Sequence, residues 1–154
     1  NLILRQQPIA TDLRNVTTAL KIVTDLERIG DQAADIAEII MNFEGEHAYK
    51  TVEHILTMAK MAKIMVHGSI DSFIKKDLST ARLVKSMDDE IDALFEEVKQ
   101  EVAEIIKENS ERIDYCIDFL MIAKYLERVG DHAVNICEWL EFNQTGSVND
   151  QRLI

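Results

Sequence analysis

The feature that most limits the fold of this chain is an apolar pattern of helical period from Pro8 to Asn42. Leucine, isoleucine and valine recur there every three or four residues, which places them along one side of a helix. Gly30 is the one glycine within the pattern, and Pro8 suits a first helical turn, where its missing N–H does no harm. Roughly 34 residues make a helix about 50 Å long, which favours an all-α bundle of long antiparallel helices.

The same pattern predicts three more helices and a polar C-terminal segment. One runs from about Glu46 to Lys75, and the next begins after a capping Asp77 or Ser79. The pair Asn109-Ser110 ends that third helix and caps a fourth one. We expect the fourth helix to cover residues 110–142. The last residues of the chain, 143–154, are polar and should form a tail or a short turn.

The charge balance and the cysteines narrow the classes of function. A net charge of -11 makes nucleic acid an unsuitable partner, because phosphate binding needs clustered lysine and arginine. No apolar run reaches the roughly 18 to 20 residues of a membrane span, and no signal peptide is recognisable at the N-terminus. Cys116 and Cys137 lie about 31 Å apart on one predicted helix and cannot bond to each other. A reducing cytoplasm is the expected location.

A repeated hexapeptide carries two acidic stripes. LERIGD at Leu26–Asp31 returns as LERVGD at Leu126–Asp131, one hundred positions later. Each copy places acidic residues at i, i+4 and i+11, within about 80° of arc on its helix. The members are Glu27, Asp31, Glu38 in the first copy and Glu127, Asp131, Glu138 in the second, with Asp35 and Asn135 at the i+8 positions. A glycine inside a helix costs about 1 kcal/mol against alanine, so its return indicates that something approaches the backbone there.

The third predicted helix adds carboxylates at a matching level. Asp92 lies about 17 residues before the Asn109-Ser110 turn and Glu127 about 17 after it, so both stand about 26 Å from the turn. If the two helices are antiparallel, Asp88 and Asp92 face Glu127 and Asp131. Clustered carboxylates suit hard or borderline cations, with Gly130 leaving room for bound water. A solvated acidic face is the alternative interpretation.

These residues carry a resemblance to the PhoU family of bacterial phosphate-signalling regulators. The matching segments are QPIATDLRNVTTALKIVTDLERIGDQAADIAE at 7–38, DDEIDALFEEV at 88–98 and YLERVGDHAVNICE at 125–138. The resemblance implies two tandem three-helix units. Residues 1–43 would then be the last helix of a first unit whose first two helices are missing, with 1–7 ending one of them. Residues 46–143 would form the second unit, and 144–154 a tail.

The resemblance also implies a function. Members of the family act as cytoplasmic negative regulators that link the ATPase subunit of a phosphate transporter to a sensor histidine kinase. It further implies multinuclear iron or zinc sites on E/D-x-x-x-D motifs, and a homo-oligomer that meets the membrane through its partners alone. The ligands carried over are Glu27, Asp31, Asp88, Asp92, Glu127 and Asp131, with Asp35, Asn135, Glu38 and Glu138 in support. Asn135 in place of a carboxylate would weaken the second site.

Two other classes of function stay open. A di-metal carboxylate oxidase of ferritin type requires paired Glu-x-x-His motifs, of which Glu44–His47 is one instance, at a glycine turn. A metal-free helical scaffold would use the acidic stripes as solvated surface. No nucleophile with an adjacent base and no phosphate-binding loop is recognisable, so we expect no enzyme. The apolar stripe with Leu13, Leu20 and Ile36 is expected to pack on the second unit or on another copy.

Overall fold

The computed structural model describes residues 2–43, 50–148 and 151–152, and its side chains over 8–43 and 53–146. The predicted all-α bundle is confirmed. The elements in chain order are α1 (Leu2–Met41), α2 (Lys50–Lys75), α3 (Leu78–Ser86), α4 (Asp88–Glu108), a 3-10 turn (Ser110–Arg112), α5 (Ile113–Thr145), β1 (Ser147–Val148) and β2 (Gln151–Arg152). The two short strands pair antiparallel, with Ser147 opposite Arg152. Across the described ranges, no helix has the length and apolar content needed to cross a bilayer.

Helix α5 is the centre of the bundle, and α1, α2, α3 and α4 all pack against it. Its buried positions recur every three or four residues and include Phe119, Ile122, Ile136 and Leu140. Because several helices cover α5, its apolar residues occupy a wide sector rather than one narrow stripe. Both cysteines of α5 are buried and free, as predicted from their spacing.

The start of α1 differs from its prediction. The helix begins at Leu2 instead of Pro8, so residues 2–7 continue α1 and do not end a preceding helix. A proline within a helix removes the one ladder bond that its own nitrogen would donate, here to the carbonyl of Leu4. The residues on both sides of Pro8 keep their helical conformation. The predicted start of α2 at Glu46 lies outside the described residues.

The third predicted helix is two helices, separated at Met87. The hydroxyl of Ser86 donates to the carbonyl of Leu83 and so offers the backbone a local alternative partner. The N–H of Met87 bonds to the carbonyl of Val84, a tight turn of i to i−3 type. Helix α4 then starts with Asp88, Asp89 and Glu90, whose negative charges are favourable at a helix N-terminus. The break therefore places Asp88 on the first turn of α4.

The fourth predicted helix begins at Ile113 and ends at Thr145, a little beyond the expected Phe142. Gly146 closes it in the left-handed conformation, with φ of 70° and its N–H bonded to the carbonyl of Phe142 at 2.8 Å. The segment predicted as a tail or short turn contains the paired strands β1 and β2. Its residues 149–150 and 153–154 lie outside the described part.

Helix α1 buries one face on α5 and exposes another. Thr18, Ile22, Asp25 and Gln32 are buried, and the partly buried Ile36 packs against the core. Leu13 and Leu20, however, are 66% and 65% exposed. Of the two alternatives expected for the apolar stripe, packing on the second unit therefore applies to Ile36 and not to Leu13 and Leu20, because the apolar residues of α1 lie on two sides of the helix. Packing of Leu13 and Leu20 on another copy stays a prediction.

Candidate metal centre

Three carboxylates from two helices meet at one point. Asp88 and Asp92 project from adjacent turns of α4, and Asp131 projects from α5. One carboxylate oxygen from each lies within 4.8 Å of the others, a group that we call the carboxylate cluster. The short connection from Glu108 to Ile113 makes α4 and α5 antiparallel neighbours, and this brings distant parts of the sequence to the same level.

Glu127 lies beside the cluster but is held by another partner. Its Oε2 accepts from Lys124 Nζ at 2.9 Å, one turn away on α5. Its charge is near enough to raise the pKa values of Asp92 and Asp131, after the larger effect of burial. Of the four carboxylates predicted for this place, three therefore converge, and the fourth, Glu127, is paired with Lys124.

The cluster is electrostatically strained without a cation. Burial, followed by the charges of Asp92 and Asp131, raises the pKa of Asp88 to about 6. Burial is likewise the largest cause of the raised pKa values of Asp92 and Asp131. The Oδ1 atoms of Asp88 and Asp92 are buried and have no hydrogen-bond partner among the described residues. Two orphaned acceptors and a set of oxygen donors fit a divalent cation.

The acidic residues predicted on α1 do not join this cluster. Glu27 and Asp31 are exposed and Asp35 is partly buried, on a helix whose opposite face packs on α5. The carboxylate cluster is the one metal-type group found among the residues with described side chains, and neither Glu38 nor Glu138 is part of it. As far as the structure describes the chain, the first motif thus has no second helix to complete a site.

Asn135 faces α1, and this contact involves a residue that the sequence patterns did not single out. Its Nδ2 donates to Oδ1 of the buried Asp25 at 3.3 Å, and His132 Nδ1 lies 2.9 Å from the same oxygen. Asp25 therefore links α1 to α5 through His132 and Asn135. The sequence does contain a signal for this contact, because the carboxylate of Asp25 lies between Ile22 and Ile29 on the apolar side of α1. A charge placed among core residues requires partners.

The two repeated glycines have different surroundings. A Cβ on Gly130 would lie 3.4 Å from Ile91 Cδ1 and 3.6 Å from Met65 Cε, so this glycine faces the core. The prediction that Gly130 leaves room for water beside the carboxylates is wrong, because its open side points to α4 and α2 side chains. A Cβ on Gly30 would meet nothing within 4 Å among the described atoms.

We expect Gly30→Ala to stabilise the protein. Alanine restricts the unfolded chain and favours the helix, and no described atom opposes the new methyl group. The free energy of unfolding should rise by about 0.5–1 kcal/mol, measured by urea denaturation. Gly130→Ala is the matched control, and its gain should be smaller because the methyl group enters a packed space. Destabilisation by Gly30→Ala would show that another group packs closely against the backbone of α1 at Gly30.

Comparison with known proteins places this geometry in a family. The model of the PhoU domain matches residues 1–40 and 55–140. A phosphate-specific transport system accessory protein PhoU homolog from Clostridium acetobutylicum is 41% identical over 97% of the chain and 68% of its own length. The homolog from Zymomonas mobilis is 36% identical over 94% of the chain and 61% of its own length.

Solved structures of PhoU have the same arrangement of helices. The phosphate transport system regulatory protein PhoU from Streptococcus pneumoniae superposes with a TM-score of 0.83, at 29% identity, over 92% of the chain and 67% of that structure. PhoU from Pseudomonas aeruginosa gives a TM-score of 0.79, at 31% identity, over 95% of the chain and 70% of that structure. The chain thus spans roughly two thirds of each relative. With its two family-model matches and its repeated LER-I/V-GD motif, it belongs to the PhoU family.

Proposed function

We propose that this chain is a cytoplasmic accessory protein that regulates phosphate transport. The supporting observation is the 41% identity with a phosphate-specific transport accessory protein, which extends over 97% of the chain. A regulator of this kind acts by binding, and the long helices offer extended faces for protein partners. The protein is not an enzyme in this proposal. It lowers phosphate uptake and phosphate signalling when phosphate is plentiful.

We further propose that the carboxylate cluster holds a divalent cation. Asp88, Asp92 and Asp131 would supply the ligands, and Glu127 would join them on release from Lys124. All four donors are carboxylates, which suits hard or borderline cations, and the family resemblance directs the choice to iron or zinc. A bound cation would supply the positive charge that these partly buried acids lack. For Glu27, Asp31 and Asp35, metal binding stays a prediction that needs a second helix.

The partners proposed are the ATPase subunit of a phosphate transporter, a sensor histidine kinase and further copies of the chain. Contact with the membrane would then be indirect. A ferritin-type oxidase would require histidine ligands beside the carboxylates. The carboxylate cluster, as found among the residues with described side chains, consists of aspartates alone and so does not support this alternative. The Glu44–His47 motif on which that alternative depends lies outside the described residues. A metal-free scaffold would leave the orphaned Asp88 and Asp92 oxygens unexplained.

A direct binding measurement tests the regulatory role. The purified chain, loaded with Zn²⁺ or Fe²⁺, is titrated against the ATPase subunit of the phosphate transporter from the same genome. We expect saturable binding with a dissociation constant of about 1 µM or tighter, equivalent to roughly 8 kcal/mol. The ATPase subunit of an unrelated transporter serves as the control. Equal binding to both subunits, or to neither, would contradict the proposal.

A further inference from the structure

A lysine lies next to the carboxylate cluster, between the two helices that supply it. Lys124 precedes Glu127 by about one turn of α5 and Asp131 by about two, so the three side chains share one face of the helix. Its Nζ is 2.9 Å from Oε2 of Glu127. The same ammonium group lies 5.2 Å from the centre of the Phe95 ring on α4. Lys124 therefore contacts side chains of both α4 and α5.

The charge of Lys124 opposes the mutual repulsion of the acids. It lowers the pKa values of Asp92 and Asp131, which burial and neighbouring carboxylates raise more strongly. Asp88 lies one turn farther from Phe95 on α4. Burial and four neighbouring acids raise its pKa to about 6, and no positive charge of the described residues is among the leading influences on it. The lysine therefore compensates two of the three acids.

Two other basic groups near the cluster have partners outside it. The ring of His132 is turned to Asp25 on α1, with Nδ1 2.9 Å from the carboxylate oxygen. Lys99 lies over the same aromatic ring of α4, 5.0 Å from its centre, but forms an ion pair with Glu96 on its own helix. Among the described residues, Lys124 is thus the leading positive charge that acts on acids from both helices of the cluster.

We propose that Lys124 is the built-in counter-charge of the carboxylate cluster and that it limits the affinity of the cluster for a divalent cation. In the metal-free protein its ammonium group offsets part of the repulsion among the carboxylates. A cation held by Asp92 and Asp131 would be repelled by the same ammonium group. Lys124 supplies no ligand, and its effect is to stabilise the metal-free protein and to weaken metal binding together. The inference rests on the cation site proposed above and concerns how tightly that site binds.

Lys124→Met tests the counter-charge, because methionine keeps an unbranched side chain beside Phe95 and removes the charge. The full 154-residue chain, treated with chelator, is titrated with Zn²⁺ in a calorimeter at about 10 mM salt, where the Debye length is about 30 Å. We expect Lys124→Met to bind Zn²⁺ about three- to tenfold more tightly than the unchanged protein, and Lys124→Arg to bind within about twofold of it. At about 1 M salt the gain should fall below about twofold, because the Debye length is then about 3 Å.

Lys99→Met is the matched control, since it also removes a lysine from the Phe95 ring and from an ion pair one turn long. It should change the affinity for Zn²⁺ by less than about twofold. Without metal, at pH 7.5, Lys124→Met should melt about 1–3 °C below Lys99→Met, because the acids lose their counter-charge.

Three results would overturn the proposal: Zn²⁺ affinity that is unchanged or lower in Lys124→Met, an equal gain in Lys99→Met, or equal melting temperatures of the two metal-free variants. If Lys124→Met binds like the unchanged protein while Asp92→Asn/Asp131→Asn loses Zn²⁺, the counter-charge is wrong and the cation site stands. If neither change alters Zn²⁺ binding, the cation site is wrong as well.

Discussion

Neutralising Asp92 and Asp131 together should abolish tight cation binding. These two residues supply two of the three converging carboxylates, one from each helix. Asparagine preserves their shape but removes both charges. We expect Asp92→Asn/Asp131→Asn to lower the affinity for Zn²⁺, Fe²⁺ or Mn²⁺ by at least about 100-fold, or roughly 2.7 kcal/mol. Calorimetric titration of chelator-treated protein gives the affinity, and elemental analysis after identical purification gives the metal content.

A matched pair of variants separates the cluster from general acidity. Asp71→Asn with Glu104→Gln also removes two charges, from exposed positions of α2 and α4. That pair should leave cation affinity within about twofold, because exposed acids bind divalent cations weakly. Equal metal content in both double variants and in the unchanged protein would show that the cluster is not the site. Circular dichroism verifies that each variant keeps its helices.

The helices and the position of the cluster could be predicted from the sequence for one physical reason. Apolar residues at a period near 3.6 define where each helix runs, and the short turn after Glu108 makes α4 and α5 neighbours of opposite direction. Counting residues from that turn then places Asp92 opposite Glu127 and Asp131. In the structure Asp92 and Asp131 do converge, whereas Glu127 is held by Lys124. Such a count predicts how far along its helix a residue lies. It does not predict which neighbouring side chain will form an ion pair with that residue.

The features that the sequence did not predict depend on neighbours from other helices. Gly130 is opposite Ile91 and Met65, which are distant in sequence and come together through packing. The partners of Asp25 are 107 and 110 positions away, at His132 and Asn135. The break at Met87 depends on a serine hydroxyl competing for a backbone carbonyl, a weak local effect that periodicity does not detect.

The metal-free protein should become more stable as the pH falls from about 7.5 to about 5. The pKa of Asp88 in the folded state is raised to about 6, above its ordinary value of 3.8, chiefly by burial. The folded protein therefore binds a proton at Asp88 more tightly than the unfolded chain does. The resulting gain in stability is complete below the pKa of Asp88 in the unfolded chain, and it is lost as the pH rises through about 6. Asp92 and Asp131 act in the same direction. Because the cluster is partly exposed, we expect a gain on the order of 1 kcal/mol, or roughly 2–4 °C in Tm.

Asp88→Asn isolates this effect from the other titrating groups. At pH 7.5 the metal-free variant should be more stable than the unchanged protein by about 1 kcal/mol, since it removes a charge that burial and two aspartates disfavour. At pH 4.5 the difference should be clearly smaller, because Asp88 is then protonated in the folded state, and it should vanish only below the unfolded pKa of 3.8. Saturating cation should reverse the order at pH 7.5, as binding to the folded state at 100 times the dissociation constant adds about 2.7 kcal/mol. Thermal melts with chelator and with Zn²⁺ measure all three differences. A metal-free Asp88→Asn variant less stable than its parent at pH 7.5 would mean that Asp88 contributes a favourable contact, and that the cluster is not strained.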